Sequence, residues 1–219
     1  MSDTPLKTKA KDVFHMNDML NRVADALRSR GFDAAVFESS ADAASFILGD
    51  IPEGQTVAIG GSMTVKQMDL HTRLRQAGHT VLWHWEEEPA KRAALLHEAM
   101  NAPVYICSAN ALTEDGLMVQ IDGNGNRVAA MCYGPNTVYV VIGRNKIVEG
   151  GYQQAVRRIK QVACPGNARR LNLSTPCGIT GSCDVSACRN SMCHITVSFD
   201  LAPGGKRTQV VLIDEDLGC

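Results

Sequence analysis

The sequence predicts an α/β fold of three layers, with helices on both sides of a mixed sheet. Three observations predict it. Short apolar runs of strand length alternate with amphipathic helical stretches through the first half of the chain. Further on, paired apolar runs flank the turn sequences DGNGN and PGGK, which introduces antiparallel pieces and makes the sheet mixed. At 219 residues, 45% of them hydrophobic, the chain is long enough to bury a full core without covalent staples.

Residues 12–30 read as an amphipathic helix, because Val13, Met16, Leu20, Val23, Ala24 and Leu27 share one face and Gly31 stands where a C-terminal cap belongs. A helix follows Ser40, a suitable N-cap, to Leu48. Residues 56–59 form a short buried strand feeding Gly60-Gly61-Ser62 and then a helix that ends at Gly78. Residues 80–85 are a strand, 89–100 a helix with Pro89 in its first turn, and 104–107 a strand. Residues 117–121 and 127–132 flank DGNGN as a hairpin. A strand at 138–142 and a helix at 151–162 follow, and 195–199 with 209–213 surround PGGK as a second hairpin.

The most concentrated chemistry is PCGITGSCDVSACRNSMC, which places Cys177, Cys183, Cys188 and Cys193 within seventeen residues. Thiols at this density oxidise unless they are ligated or paired. The amino-terminal MSDTPLKTKAKDVF has no apolar signal core, and no stretch reaches the roughly 18 uninterrupted apolar residues of a membrane span. The expected location is therefore cytoplasmic, where thiols stay reduced and a metal is favoured over disulfides. Spacings of five, four and four intervening residues, with no CxxC pair, favour a 4Fe-4S cluster over a single tetrahedral zinc. His194 and Cys164 lie close enough in sequence to replace a ligand. A net charge of −1 offers no case for nucleic acid or an anionic membrane surface.

Two further constellations stand out. In IGGSMT, residues 59–64, a strand runs through two glycines into a helix; the exposed N–H groups suit an anion, with Ser62, Thr64 and Lys66 as added donors. The same residues also read as a tight turn in which the glycines take positive φ and Ser62 caps the helix. In residues 111–135, Glu114 and Asp115 stand beside one turn and Asp122, Asn124, Asn126 and Arg127 around another; turn chemistry explains the second group, and Glu114 stays open. Arg127 and Lys146, near strand ends, suit a carboxylate ligand. Cys107 and Cys132 read as buried small hydrophobes, His71 as the one histidine near a cleft, and Trp83 with Trp85 as core packing.

GGSMT, NALTEDG, DGNGNRVAAMCYGP, VVIGRNKIV, NARRL, the cysteine segment and the terminal DEDLG occur in this order, and from residue 14 onward the chain resembles the LUD (lactate-utilization) domain family, specifically short members with a cysteine-rich tail. The resemblance implies a fold similar to the ribose-5-phosphate isomerase and CoA-transferase superfamily, with the ligand above the carboxyl ends of the strands. It implies an anion site at Gly60, Gly61 and Ser62. Glu114 in TEDG sits as the glutamate nucleophile of CoA transferases does, close before a glycine. Characterised LUD relatives are subunits of an iron-sulfur complex that oxidises L-lactate to pyruvate; the tail departs from them, so redox metabolism transfers rather than lactate itself.

The expected organisation is a LUD-type α/β domain at 1–172, with 173–219, the cysteine segment and terminal hairpin, completing the same domain. The expected function is redox metabolism of a small organic acid, lactate-like or a CoA ester, in an oxidoreductase component or a transferase-like enzyme. Glu114 would be its reactive carboxylate; Gly60, Gly61, Ser62, Thr64, Lys66, Arg127 and Lys146 its ligand-binding residues; and Cys177, Cys183, Cys188 and Cys193 the holders of a 4Fe-4S cluster, with zinc as the alternative. A noncatalytic electron-relay or assembly subunit, docking a redox protein through a structural cluster or zinc, is the competing expectation.

Overall fold

The computed structural model describes residues 6–219, with side chains from residue 18 onward. The side chains of Val13 and Met16, assigned to a helix face above, and the residues before residue 6 lie outside the described part. The chain opens with α1 (Leu6–Ser29), β1 (Asp33–Phe37), α2 (Ser40–Asp50), β2 (Thr56–Ile59), α3 (Met63–Gln67), α4 (Leu70–Gln76), β3 (Thr80–Trp83), α5 (Arg92–Ala99) and β4 (Val104–Cys107). After β4 the order becomes β5 (Ala111–Thr113), β6 (Met118–Asp122), α6 (Asn126–Cys132), β7 (Thr137–Gly143), β8 (Ile147–Val148), α7 (Tyr152–Arg158), α8 (Cys164–Arg170), α9 (Pro176–Thr180), β9 (Ile195–Phe199) and β10 (Arg207–Ile213). A π-helical stretch, Ile159–Ala163, joins α7 to α8 without a break.

The architecture is three-layer α/β. Its main sheet has six strands in the order β1-β10-β7-β4-β2-β3, and every neighbouring pair is parallel. The mixed pairing predicted from the turns is confined to a smaller sheet, β8-β5-β6-β9, in which β5 and β8 are parallel and the other pairs antiparallel. Alternation decides the two faces of the main sheet. Val138, Val140 and Ile142 of β7 join Val210 and Leu212 of β10 against α1, while Tyr139, Val141, Val211 and Ile213 face α2 and α4. The small sheet lies on the α1 side: Leu112 and Met118 enter that core, and Ala111, Val119 and Ile121 pack outward on Ala155 and Ile159.

Three local readings are corrected. Residues 127–132 form the helix α6, not a strand: Gly125 at φ 81° turns the chain, and the Asp122 carboxylate accepts from the Val128 N–H in the first helical turn. Cys132 is accordingly exposed at the end of a helix rather than buried in a strand. The terminal hairpin does not form either; β9 pairs with β6 in the small sheet, whereas β10 lies between β1 and β7 in the main one. β1 was not expected, being a half-exposed edge strand whose DAAVF lacks an alternating pattern.

The glycine of TEDG has a packing role. Gly116 sits at φ 86°, and a Cβ there would come within 3.1 Å of the Ala26 carbonyl carbon and the Leu27 nitrogen in the α1 backbone. Gly116→Ala therefore meets both a disfavoured backbone conformation and an unyielding neighbour, and should lower stability by about 2 kcal/mol in denaturant unfolding. An unchanged midpoint would mean that α1 does not press on this turn.

Candidate functional site

Six parallel strands deliver their carboxyl ends to one edge of the main sheet, where clefts of open α/β sheets form. A cleft of about 380 Å³ lies there. It is lined by Gly61 and Ser62 after β2, His84 and Trp85 after β3, Ser108 after β4, and Lys146 after β7. Asp122 and Arg127 come from the turn between β6 and α6, and Cys164, Arg170, Cys193 and Cys219 close the far side.

Lys146 is the most constrained of these groups. It ends the 3₁₀ turn Arg144–Lys146, is only 4% exposed, and donates from Nζ to Thr64 Oγ1 at 2.7 Å and Ser108 Oγ at 2.8 Å. Burial, and then the Arg158 charge, push its pKa down to about 7. The turn is anchored on both sides. Arg158 donates to the Asn145 carbonyl at 3.0 and 2.8 Å and to the Asn110 carbonyl at 2.6 Å. Arg144 pairs with Asp214 and Asp216, and Asn145 Oδ1 accepts from the Leu217 N–H, so VVIGRNKIV and DEDLG dock on each other. Gly218, at φ 69°, then passes so close that a Cβ would stand 2.6 Å from Thr64 Oγ1 and 2.9 Å from Lys146 Nζ.

Arg127 and Asp122 form a half-dry wall of the cleft. Arg127 Nη2 reaches Asp122 Oδ1 at 2.5 Å and Asn110 Oδ1 at 2.7 Å, while Nη1 donates to the Ser108 carbonyl at 3.0 Å. Asn110, the asparagine of NALTEDG, also accepts from the Ile121 N–H. Most of the Arg127 donor capacity thus ties the β4–β5 connection to β6.

The glycine turn is shaped by its neighbours. Neither Gly60 nor Gly61 has positive φ. A side chain at Gly60 would meet the Tyr105 hydroxyl at 2.8 Å, and one at Gly61 the Trp85 indole nitrogen at 3.1 Å. Ser62 caps α3, its Oγ accepting from the Val65 N–H at 3.2 Å. Thr64 is fully buried behind Lys146 and donates to the Leu217 carbonyl. Lys66 points outward from α3, away from the cleft lining. Glu114 is exposed in the turn after β5, its N–H donating to the Val148 carbonyl, and does not line the cleft.

Cys164 and Cys193 bring their sulfurs within 3.3 Å at the cleft margin. The contact, in which either thiol can donate, polarises the pair: hydrogen bonding to Cys164 and the Lys160 charge hold Cys193 below the ordinary thiol range, and Cys164 is pushed well above it. Cys177 is buried at the start of α9, Cys188 is half-buried, and Cys183 is exposed. Cys177, Cys188 and Cys193 all bear on Cys183, raising its pKa after the effect of burial. Cys164, Cys183 and Cys193 all bear on the Lys160 charge and raise its pKa. Among the described residues, no three His, Cys, Asp or Glu side chains converge as a single metal ion requires.

Sequence reasoning missed Ser108 and His84 and read Trp85 as core packing; all three directly follow strand ends, the signal that could have found them, while Arg170 is the last residue of α8. Arg170 lies 4.5 Å over the Trp85 ring, and burial followed by the Arg92 and Arg170 charges lowers the His84 pKa. His71, expected near a cleft, instead packs on Trp83 with ring centroids 4.5 Å apart.

A parallel sheet with a polar cleft over its carboxyl edge is the arrangement of an open α/β protein. The LUD domain model matches residues 20–213, and the chain belongs to that family. This membership points to a role related to lactate utilization. A DUF162 family protein from Deinococcus radiodurans matches over 90% of this chain and 98% of its own, at 12% identity and a TM-score of 0.51, a likeness of fold. A D-ribose-5-phosphate isomerase in complex with phospho-erythronic acid matches over 50% of this chain and 53% of its own, at 16% identity and a TM-score of 0.32. For eIF2B beta from Chaetomium thermophilum the shares are 51% and 43%, with 16% identity and a TM-score of 0.36. No curated protein matches. Among the described residues, no helix is long and apolar enough to cross a membrane.

The lowered pKa of Lys146 makes a stability prediction with a definite sign. Below about pH 7 the lysine is charged in both folded and unfolded chains, and the folded state bears the cost of a buried ammonium. Lys146→Met should then be more stable than the parent by about 2 kcal/mol, because that cost exceeds the two hydrogen bonds lost. As pH rises from about 7 towards 10.5 the parent gains stability relative to the variant and the difference closes. Urea unfolding of both proteins at pH 6 and pH 9 tests this; a difference that widens with pH would contradict it.

Proposed function

We propose that this LUD-domain protein binds a small organic acid, lactate-like or an ester of such an acid, with its carboxylate against Lys146, in redox metabolism. The observation that carries the reading is the shared cleft: Lys146 lines one side and Cys164 and Cys193 the other. Lys146 is buried with hydroxyl partners, so a bound carboxylate would supply the counter-charge that the fold leaves out. Arg127 and Ser62 border the same space, and Arg170 adds positive charge beside Trp85. Glu114 has no part in this reading, since its carboxyl lies outside the cleft.

In the same proposal Cys177, Cys183, Cys188 and Cys193 hold a 4Fe-4S cluster, with Cys164 beside Cys193 able to replace one ligand. Such a group supplies one-electron transfer when bound. Lys160, within reach of Cys193, offsets part of the negative charge that thiolate ligands bring. Exposed Cys183 puts that group at the surface, where a redox protein partner could take up the electrons. The competing reading, an electron-relay or assembly subunit without turnover, shares the cluster and lacks the bound acid.

Calorimetric titration with L-lactate and pyruvate decides between them. The parent should bind one of the two acids, more weakly as pH rises above about 7 and Lys146 loses its proton, and Lys146→Met should bind at least about tenfold more weakly. Equal affinity in parent and variant would reject the site. Anaerobically prepared protein should contain iron and acid-labile sulfide and lose both on Cys183→Ser; protein carrying neither would reject the cluster.

A further inference from the structure

The contact between Lys146 and Ser108 has a chemistry that acid binding does not use. Ser108 follows β4 directly and lines the cleft, and it is almost wholly buried. Its carbonyl is fixed by Arg127 Nη1 at 3.0 Å, and its Oγ lies 2.8 Å from Lys146 Nζ. Beside it Thr64 Oγ1, 2.7 Å from Lys146 Nζ, lies 3.4 Å from Ser108 Oγ and has the Leu217 carbonyl as a second acceptor at 3.2 Å. The Ser108 hydroxyl has only a long contact of its own, to the Ala109 carbonyl at 3.4 Å, so a neutral Lys146 can turn its lone pair to the Ser108 proton across the 2.8 Å contact. That is the orientation a general base needs toward a serine nucleophile.

We propose that Ser108 is a nucleophile activated by Lys146, and that the cleft cleaves an ester or thioester of a small acid through an acyl-serine. This goes beyond the organic-acid reading, with which it shares only the cleft and Lys146. In the first step Ser108 Oγ bonds to the acyl carbon while the bond from that carbon to the leaving oxygen or sulfur breaks. The Ser108 proton passes to Lys146 Nζ and from there to the departing alcohol or thiol. Water then attacks the acyl-serine by the same route, giving the free acid and restoring the serine. No group is oxidised or reduced.

Lys146 is suited to the role because burial leaves much of it unprotonated near neutral pH. The charged and titratable groups that bear on it are Arg158 and Arg127, which lower its proton affinity, and Cys219 and Cys107, which raise it. The thiol of Cys107 is itself pushed up to about 12 by burial, so it stays neutral across the relevant range.

The test uses p-nitrophenyl acetate with the full chain under reducing conditions, reading the p-nitrophenolate burst together with peptide mapping of the acetylated protein. The expected result is an acetyl group on Ser108, formed at a rate that rises through about pH 7 as Lys146 loses its proton. Ser108→Ala should abolish the burst, and Lys146→Met should slow it by about a hundredfold or more. Acetyl groups found only on cysteines or on Lys146, or a burst that survives in Ser108→Ala, would overturn the proposal. Peptide mapping of the parent alone decides the matter should either variant fold poorly. If L-lactate binds while Ser108 is never acylated, the nucleophile assignment falls and the organic-acid reading stands.

Discussion

Because all six strands of the main sheet run in one direction, the residues that follow them are delivered to a single edge. Gly61, His84, Ser108, Lys146 and Cys219 are far apart in sequence and meet only there. An antiparallel sheet would send alternate connections to opposite edges and divide this set in two. The parallel arrangement in turn requires helical crossovers, which bury the strands on both faces. Val140, Val141, Val210 and Val211 are accordingly inaccessible to solvent, and the cleft rests on a rigid, dry floor.

Within the cleft, the cationic groups differ in how much of their hydrogen-bonding capacity is left for a ligand. Arg127 is largely consumed by Asp122, Asn110 and two carbonyls, and it sets the shape of the wall. Arg158 is spent on three carbonyl contacts and holds the lysine turn in place. Lys146 alone of the three combines deep burial with partners that are only hydroxyls. Its environment is costly to form, since desolvation opposes the ammonium and Arg158 adds to the opposition. Local destabilisation of this kind concentrates at functional sites.

The layered α/β class was legible because apolar runs of strand length alternate with helical periods, and periodicity survives without knowledge of partners. Pairing was not legible. PGGK looks like a hairpin turn, but β9 and β10 satisfy their backbone groups in different sheets. DGNGN also resembles a hairpin turn, yet the Asp122 carboxylate makes it a helix start, a choice set by a side chain rather than by turn composition. In the site, Lys146 and Arg127 were noticeable as basic residues at strand ends. Ser108 is marked in the sequence only by its place after β4, because what distinguishes it is a neighbour reached across crossovers. Cys164 meets Cys193 in the same way, through a helix continued by a π-helical stretch.

The position of β10 has a consequence for how the protein comes into being on the ribosome. This strand emerges after the strands it joins, yet it occupies a central place, hydrogen-bonded to β1 on one side and β7 on the other. Until it arrives, β7 presents a bare edge and β1 has no sheet to belong to, so the nascent chain exposes a long apolar slot. The slot has the width of one strand and its occupant must run parallel to both walls, which excludes a simple folding-back of the preceding segment. Newly made chains are therefore open to strand capture by one another during this interval, and completion of the sheet and of the cleft becomes one late event.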